Sequence, residues 1–238
     1  RELPHEESEL ILLSQSLKDC GRDMVLSLSP GPALIEKAEL YKQTSNMWRI
    51  TDDFWDSWPQ LYDMFDRARQ WCIHTGHGCY PDADMLPIGP IKQDYDPALR
   101  TEFTQDEQIT MMSLWSIFRS PLIIGGEMTG FDDFTMGLIT NEEILKMHRN
   151  ARHSHPVWQK LIDGTEHILW TAVSSEGGQY AAIFNTDEKD SEIRIPLEDL
   201  EIYHPVRSTE LWSGQTAEAI ETINVSLKKH GAAVFYLS

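Results

Sequence analysis

Apolar positions along the chain change period once. Over the first 150 residues they recur at helical spacing between short apolar runs, and after Pro156 the helical pattern disappears. Leu10, Ile11, Leu13 and Leu17 fall on one side of a helix predicted over residues 6–20, which Gly21 ends. Residues 24–29, MVLSLS, read as a short buried strand broken by Pro30-Gly31-Pro32. A helix over 33–42, a strand over 47–51 and a helix opened by Pro59 and running to 71 come next. Residues 79–86, CYPDADML, follow a glycine-containing loop. Thr104, with Glu107 three positions on, is a capping box for a strong helix, TQDEQITMMSLWSIFRS. The broad stripe of Met111, Met112, Leu114, Trp115 and Phe118 makes that helix core-facing. A short strand over 121–124 is ended by Gly125-Gly126, and Asn141 caps a helix to about 150.

Alternating helices and short apolar strands predict a parallel sheet covered by helices. An open doubly wound sheet and part of an eight-stranded barrel both fit. A whole barrel takes about 250 residues, and its active site lies at the C-terminal ends of the strands. After Pro156 six strands are predicted, over 167–174, 179–186, 191–197, 208–213, 222–227 and 232–237, bounded by Gly, Asp, Asn and Pro. That spacing predicts an antiparallel β-sandwich. The expected domains are residues 1–160 and 161–238.

The chain has 238 residues, 41% of them hydrophobic, enough to bury a core. A formal net charge of −18 argues against nucleic acid and anionic membrane as partners, and no apolar run of ~18 residues exists to span a bilayer. The opening RELPHEESEL has neither an initiator methionine nor a basic stretch leading into an apolar run, and reads as the start of a piece of a longer chain. Three cysteines do not make a disulfide framework and leave the compartment open. Cys72, His74, His77 and Cys79 form C-x-H-x-x-H-x-C, but the spacing is not a usual zinc pattern and Gly76 and Gly78 mark a loop. No metal and no cofactor is expected.

Chemistry concentrates in residues 47–58, MWRITDDFWDSW, with three tryptophans, three aspartates and one arginine. On an extended chain Arg49, Thr51 and Asp53 share a face, and an arginine pairs with a carboxylate through two parallel hydrogen bonds. Tryptophan faces stack on sugar rings. These residues point to Asp53 as a catalytic carboxyl group in a carbohydrate site. The same stretch also fits a turn in which Asp52 or Asp53 caps the next helix. Asp82 and Asp84, two apart at another strand end, form a second acidic cluster that can converge on the same pocket, although Asp82 after Pro81 also fits a turn. There is no G-x-S-x-G elbow and no G-x-G-x-x-G fingerprint. His148, His153 and His155 read as surface or interdomain residues.

WRITDD at 48–53, WDSW at 55–58, PDADML at 81–86 and LWSIFRSPLI at 114–123 resemble, in order, the motifs of glycoside hydrolase family 27, known for α-galactosidases. The resemblance runs from about residue 24 to 144 and on into the sandwich. It implies a retaining glycosidase made of the second half of a (β/α)8 TIM barrel followed by a C-terminal antiparallel β-sandwich. The W-R-x-x-x-D motif implies that Asp53 is the acid/base and Arg49 a sugar and carboxylate contact. The D-x-D-M motif implies that Asp82 and Asp84 are substrate-pocket acids and that Met85 packs on the sugar. The family's nucleophile lies in a K-x-D motif after the fourth barrel strand, which this sequence lacks, so the fragment alone is expected to be inactive. Ser29-Pro30-Gly31 stands where α-galactosidases have C-E-W, a loop that contacts the sugar 2-position, and the absent cysteine removes a disulfide seen in some relatives.

A retaining mechanism needs two carboxyl groups about 5 Å apart, one attacking the sugar carbon and one exchanging a proton with the leaving oxygen and then with water. Trp48 and Trp55 are expected in the apolar wall that raises the donor's pKa. The expected partner is an oligosaccharide or glycoside. The open strand edges of a half barrel invite a second copy. The alternative function is a carbohydrate-binding or scaffold module that cleaves nothing; an epimerase lacks a nucleotide fingerprint.

Overall fold

The computed structural model describes residues 6–91 and 99–238. Its first part contains α1 (Glu7–Asp19), β1 (Ser27–Leu28), α2 (Ala38–Thr44), β2 (Met47–Arg49), α3 (Trp58–Trp71), β3 (Tyr80–Asp82), α4 (Gln105–Phe118), α5 (Asp133–Thr140) and α6 (Glu142–Asn150). The strands β1, β2 and β3 lie side by side and parallel, with Ser27 opposite Met47 and Arg49 opposite Asp82. The strand expected over 121–124 is reduced to one parallel bridge between Leu86 and Ile124. The strand expected over 24–29 keeps two residues, Ser27 and Leu28, and Val25 before them is 72% exposed. Helices covering a short parallel layer form part of a barrel.

The second part is built from β4 (Ala151–Ile162), β5 (Thr165–Ser174), β6 (Gln179–Asn185), β7 (Ser191–Pro196), β8 (Val206–Glu210), β9 (Thr216–Ile220), β10 (Thr222–Leu227) and β11 (Ala232–Leu237). Six of these form an antiparallel sheet in the order β4-β5-β6-β11-β8-β9, and β10 and β7 pair on the facing layer. Leu169, Ile183, Ile193, Ile195, Ile223 and Phe235 fill the space between the layers. The expected boundary at 160/161 falls within β4, which hydrogen-bonds to β5 from Ala151 onward.

Helix α4 joins the two parts. Its capping box forms as the sequence predicts: Thr104 Oγ1 accepts the Glu107 N–H and Glu107 Oε2 accepts the Thr104 N–H. Eleven of its residues are buried, on every face, because strands β6 and β11 cover the side turned away from the barrel layer. A helix apolar all round belongs in the middle of a protein. Its polar groups find partners across the interface, where Thr110 Oγ1 donates to the His230 carbonyl at 2.6 Å and Trp212 Nε1 donates to Ser113 Oγ at 2.9 Å. His230, on the turn between β10 and β11, inserts its ring between the two parts. It stacks on Trp58 with centroids 3.5 Å apart, and its two ring nitrogens face Glu107 at 2.7 Å and Glu188 at 3.1 Å.

Candidate active site

The parallel register sets Arg49 at the end of β2 against Asp82 at the end of β3. Pleating turns Trp48 to the opposite face from Arg49, where it is fully buried against Tyr41 and Trp71. Trp48 is therefore a core residue and not the expected wall of the site, and Trp58 is occupied by His230. Trp55, two residues from Asp53, is half-buried, with its backbone N–H donated to Gln60 Oε1. The N-cap of α3 is Ser57, so neither Asp52 nor Asp53 caps that helix.

Strand β2 ends at Arg49, and the chain then turns so that Asp53 comes back over the arginine. Arg49 Nη2 lies 3.0 Å from Asp53 Oδ1, and Arg49 Nη1 lies 3.4 Å from Asp84 Oδ2. One guanidinium thus ties together carboxylates from two strand ends, and its buried Nε has no partner among the described residues. The Asp53 side chain is 76% exposed, its carboxyl open to solvent on the far side from Arg49.

Asp84 is held from several directions. Its Oδ1 accepts the Met85 N–H at 2.7 Å, its Oδ2 the Phe54 N–H at 2.9 Å, and its carbonyl the Trp115 Nε1–H at 3.0 Å. Its φ of 76° is left-handed, a conformation aspartate tolerates because its short side chain bonds locally. Trp115, read from sequence only as core, thereby also fixes the site; a buried indole N–H needs an acceptor, which was the available signal. Ser120 Oγ takes the Ala83 N–H at 2.9 Å and steadies the same turn.

Asp82 accepts the Asp84 N–H at 2.9 Å and is 5% exposed. Burial pushes its pKa up to about 6; the nearby Asp84 charge adds to the rise, and the Asp84 N–H and the Arg49 charge oppose it. The folded chain therefore keeps a proton between about pH 4 and pH 6 that the unfolded chain has released, so stability falls as pH rises through that window. The shift corresponds to about 3 kcal/mol. Asp82→Asn removes this slope: denaturant unfolding finds wild type and variant close at pH 4, and the variant more stable by up to that amount at pH 7. Parallel pH curves contradict the account.

Two glycines let the loops close on this cluster. A Cβ on Gly31 would stand 2.6 Å from the Thr51 carbonyl oxygen and 2.8 Å from that of Arg49, so the Ser29-Pro30-Gly31 loop reaches the end of β2 only without a side chain. A Cβ on Gly125 would collide with Met85 Sδ, which places Met85 over that glycine.

Of the cysteine–histidine cluster, Cys72 Sγ donates to the Arg69 carbonyl and His74 packs edge-on against Trp71. Among the described residues no three His, Cys, Asp or Glu side chains are arranged to hold a metal ion, and no helix is long and apolar enough to cross a membrane. The cluster of Arg49, Asp53, Asp82 and Asp84 offers an exposed carboxyl that can exchange protons beside a fixed cation, and buried acceptors a polyhydroxylated ligand can use.

Comparison with known proteins agrees with this architecture. Residues 3–150 match the family model described as alpha galactosidase A, and residues 164–237 match that of the alpha galactosidase C-terminal beta sandwich domain. Among curated relatives, a probable alpha-galactosidase D of Aspergillus niger is 24% identical over 195 residues, covering 80% of this chain and 28% of the relative. An alpha-galactosidase of Oryza sativa is 21% identical over 228 residues, covering 95% of this chain and 52% of the relative. Among solved structures, a GH27 β-L-arabinopyranosidase from Geobacillus stearothermophilus superimposes with TM-score 0.91 at 41% identity, covering 98% of this chain and 54% of that one. A putative alpha-N-acetylgalactosaminidase from Bacillus halodurans gives TM-score 0.78 at 35% identity, covering 97% and 53%. The chain spans about half the length of these two solved relatives and between 28% and 52% of the two curated ones.

Proposed function

The chain belongs to the alpha-galactosidase A family, glycoside hydrolase family 27, and on that premise we propose that it supplies the acid/base half of a retaining glycosidase site. Asp53 gives a proton to the leaving oxygen and then takes one from water, while Arg49 holds Asp53 and binds the sugar with Asp82, Asp84 and Met85. The nucleophilic carboxylate of the double displacement comes from outside these residues. The observation that carries the reading is the pairing of Arg49 with both Asp53 and Asp84 at neighbouring strand ends, the end where barrels keep their active sites.

The substrate class is a pyranoside of galactose shape. L-Arabinopyranose is galactopyranose without the C6 hydroxymethyl group, and a β-L-arabinopyranoside and an α-D-galactoside present the same leaving-group geometry. The names of the relatives thus share a ring of galactose configuration, without the C6 group in one and with a 2-acetamido group in another. The test is hydrolysis by the intact protein of an aryl α-D-galactoside and an aryl β-L-arabinopyranoside, with the configuration of the first-formed sugar read by NMR. Turnover with retention is expected on at least one. A protein that binds these sugars and cleaves neither is the carbohydrate-binding module instead.

A further inference from the structure

At the opposite end of β3 from Asp84 a cleft of about 570 Å³ separates the segment that precedes β3 from the first residues of β4. Arg119 and Arg152 line it, with His77, His153 and His155, and no Asp or Glu is among the lining residues. The chain as a whole carries 38 acidic side chains against 20 lysines and arginines, so a wall with cations and no acid runs against its composition.

Both guanidiniums are held by neutral groups. Arg119 Nε donates to the His148 carbonyl at 3.2 Å, and its guanidinium lies 5.5 Å from the centre of the Tyr80 ring. Arg152 Nη1 donates to the carbonyls of Arg149 and Ala151, each at 2.8 Å. Among the described residues the ion pairs of the chain engage other arginines, and neither of these. Burial and the Arg152 charge both push the Arg119 guanidinium down. Ser154, also in the lining, is 8% exposed, and its Oγ is buried without a partner, as is Thr75 Oγ1. A buried hydroxyl without a partner is costly.

Two guanidiniums with no acidic partner among the described residues, in a lining that also holds two buried unpartnered hydroxyls, describe the receptor for a tetrahedral oxyanion, because planar forks match phosphate oxygens. We propose that this cleft binds a phosphate group, free or carried on a small organic body. The volume exceeds that of the ion, and Ile73 and Ala151 give it an apolar side suited to such a body.

The test is calorimetric titration of the protein with sodium phosphate and with a hexose 6-phosphate, each against sodium chloride at matched ionic strength. Saturable binding of phosphate is expected, weakened about tenfold or more by Arg152→Gln. A smaller loss is expected from Ser154→Ala. Arg152 is exposed, so its variant should fold, which circular dichroism checks. Tighter binding of the ester assigns the site to a phosphorylated metabolite, and equal binding assigns it to the inorganic ion; both support the oxyanion site. No saturable heat beyond that of chloride, or binding unchanged in a folded Arg152→Gln, overturns it.

Discussion

Asp53→Asn lowers glycoside turnover of the intact protein by about 10²–10⁴-fold, the range of a general acid–base contribution, and leaves its unfolding midpoint in place. The two halves of this result have separate causes. The carboxyl is 76% exposed and its one ion-pair contact among the described residues is Arg49, so an amide of the same shape disturbs little packing, and an exposed ion pair contributes little to stability. The amide, however, is too weak an acid to protonate the leaving oxygen and too weak a base to take a proton from water. Asp84, bound by two backbone N–H groups and Arg49, is already committed as an acceptor and faces the same guanidinium from the other side. Full activity in a folded Asp53→Asn protein removes the residue from the mechanism.

Glu107→Ala destabilises the fold by about 2–4 kcal/mol, as expected when a helix cap is lost and a buried hydrogen-bonding group is left without its partner, out of a total that for most domains is about 5–15 kcal/mol. One oxygen of this carboxylate completes the capping box of α4 and the other meets His230 across the join between the barrel layer and the sandwich. Alanine uncaps the central helix and strands a buried imidazole at once. Glu107→Gln keeps an acceptor and a donor in place and costs less. Denaturant unfolding checks the order; a loss under about 1 kcal/mol for alanine, the size of a cap alone, contradicts the interdomain role of His230.

The parts of this fold legible in the sequence are those fixed by neighbours in the chain. The Thr104–Glu107 box and the Asn141 cap act over three residues and form as read. Strands β5, β6, β7, β10 and β11 form close to where the bounding turn residues placed them, β7 with exposed and buried positions alternating and β5, β6 and β11 buried along most of their length. Strand β9, TAEAI, is an exposed edge without apolar alternation, and β4 begins with Arg152, His153 and His155 turned outward, so neither carried a pattern. Helix α5 depends on Asp132 capping through the Thr135 N–H, a signal present and unused.

For the proposed site, spacing and strand ends singled out Arg49, Asp53, Asp82 and Asp84, and the fold sets Arg49 beside Asp53 and Asp84. The misread aromatic, Trp48, sits on a strand covered by helices on its other face, where an apolar face says burial and says nothing of sugar. The contacts of Trp115 with Asp84 and of His230 with Glu107 join residues 31 and 123 positions apart, which no local pattern encodes.

The assignment of proton donation to Asp53 is tested most directly by leaving-group dependence. The first chemical step is measured for the intact wild type and for Asp53→Asn across aryl glycosides of decreasing leaving-group acidity. The variant should approach wild type with a dinitrophenyl group, which departs without a proton, and fall progressively behind as the group becomes more basic. An equal loss for every leaving group would show that Asp53 does something other than deliver that proton.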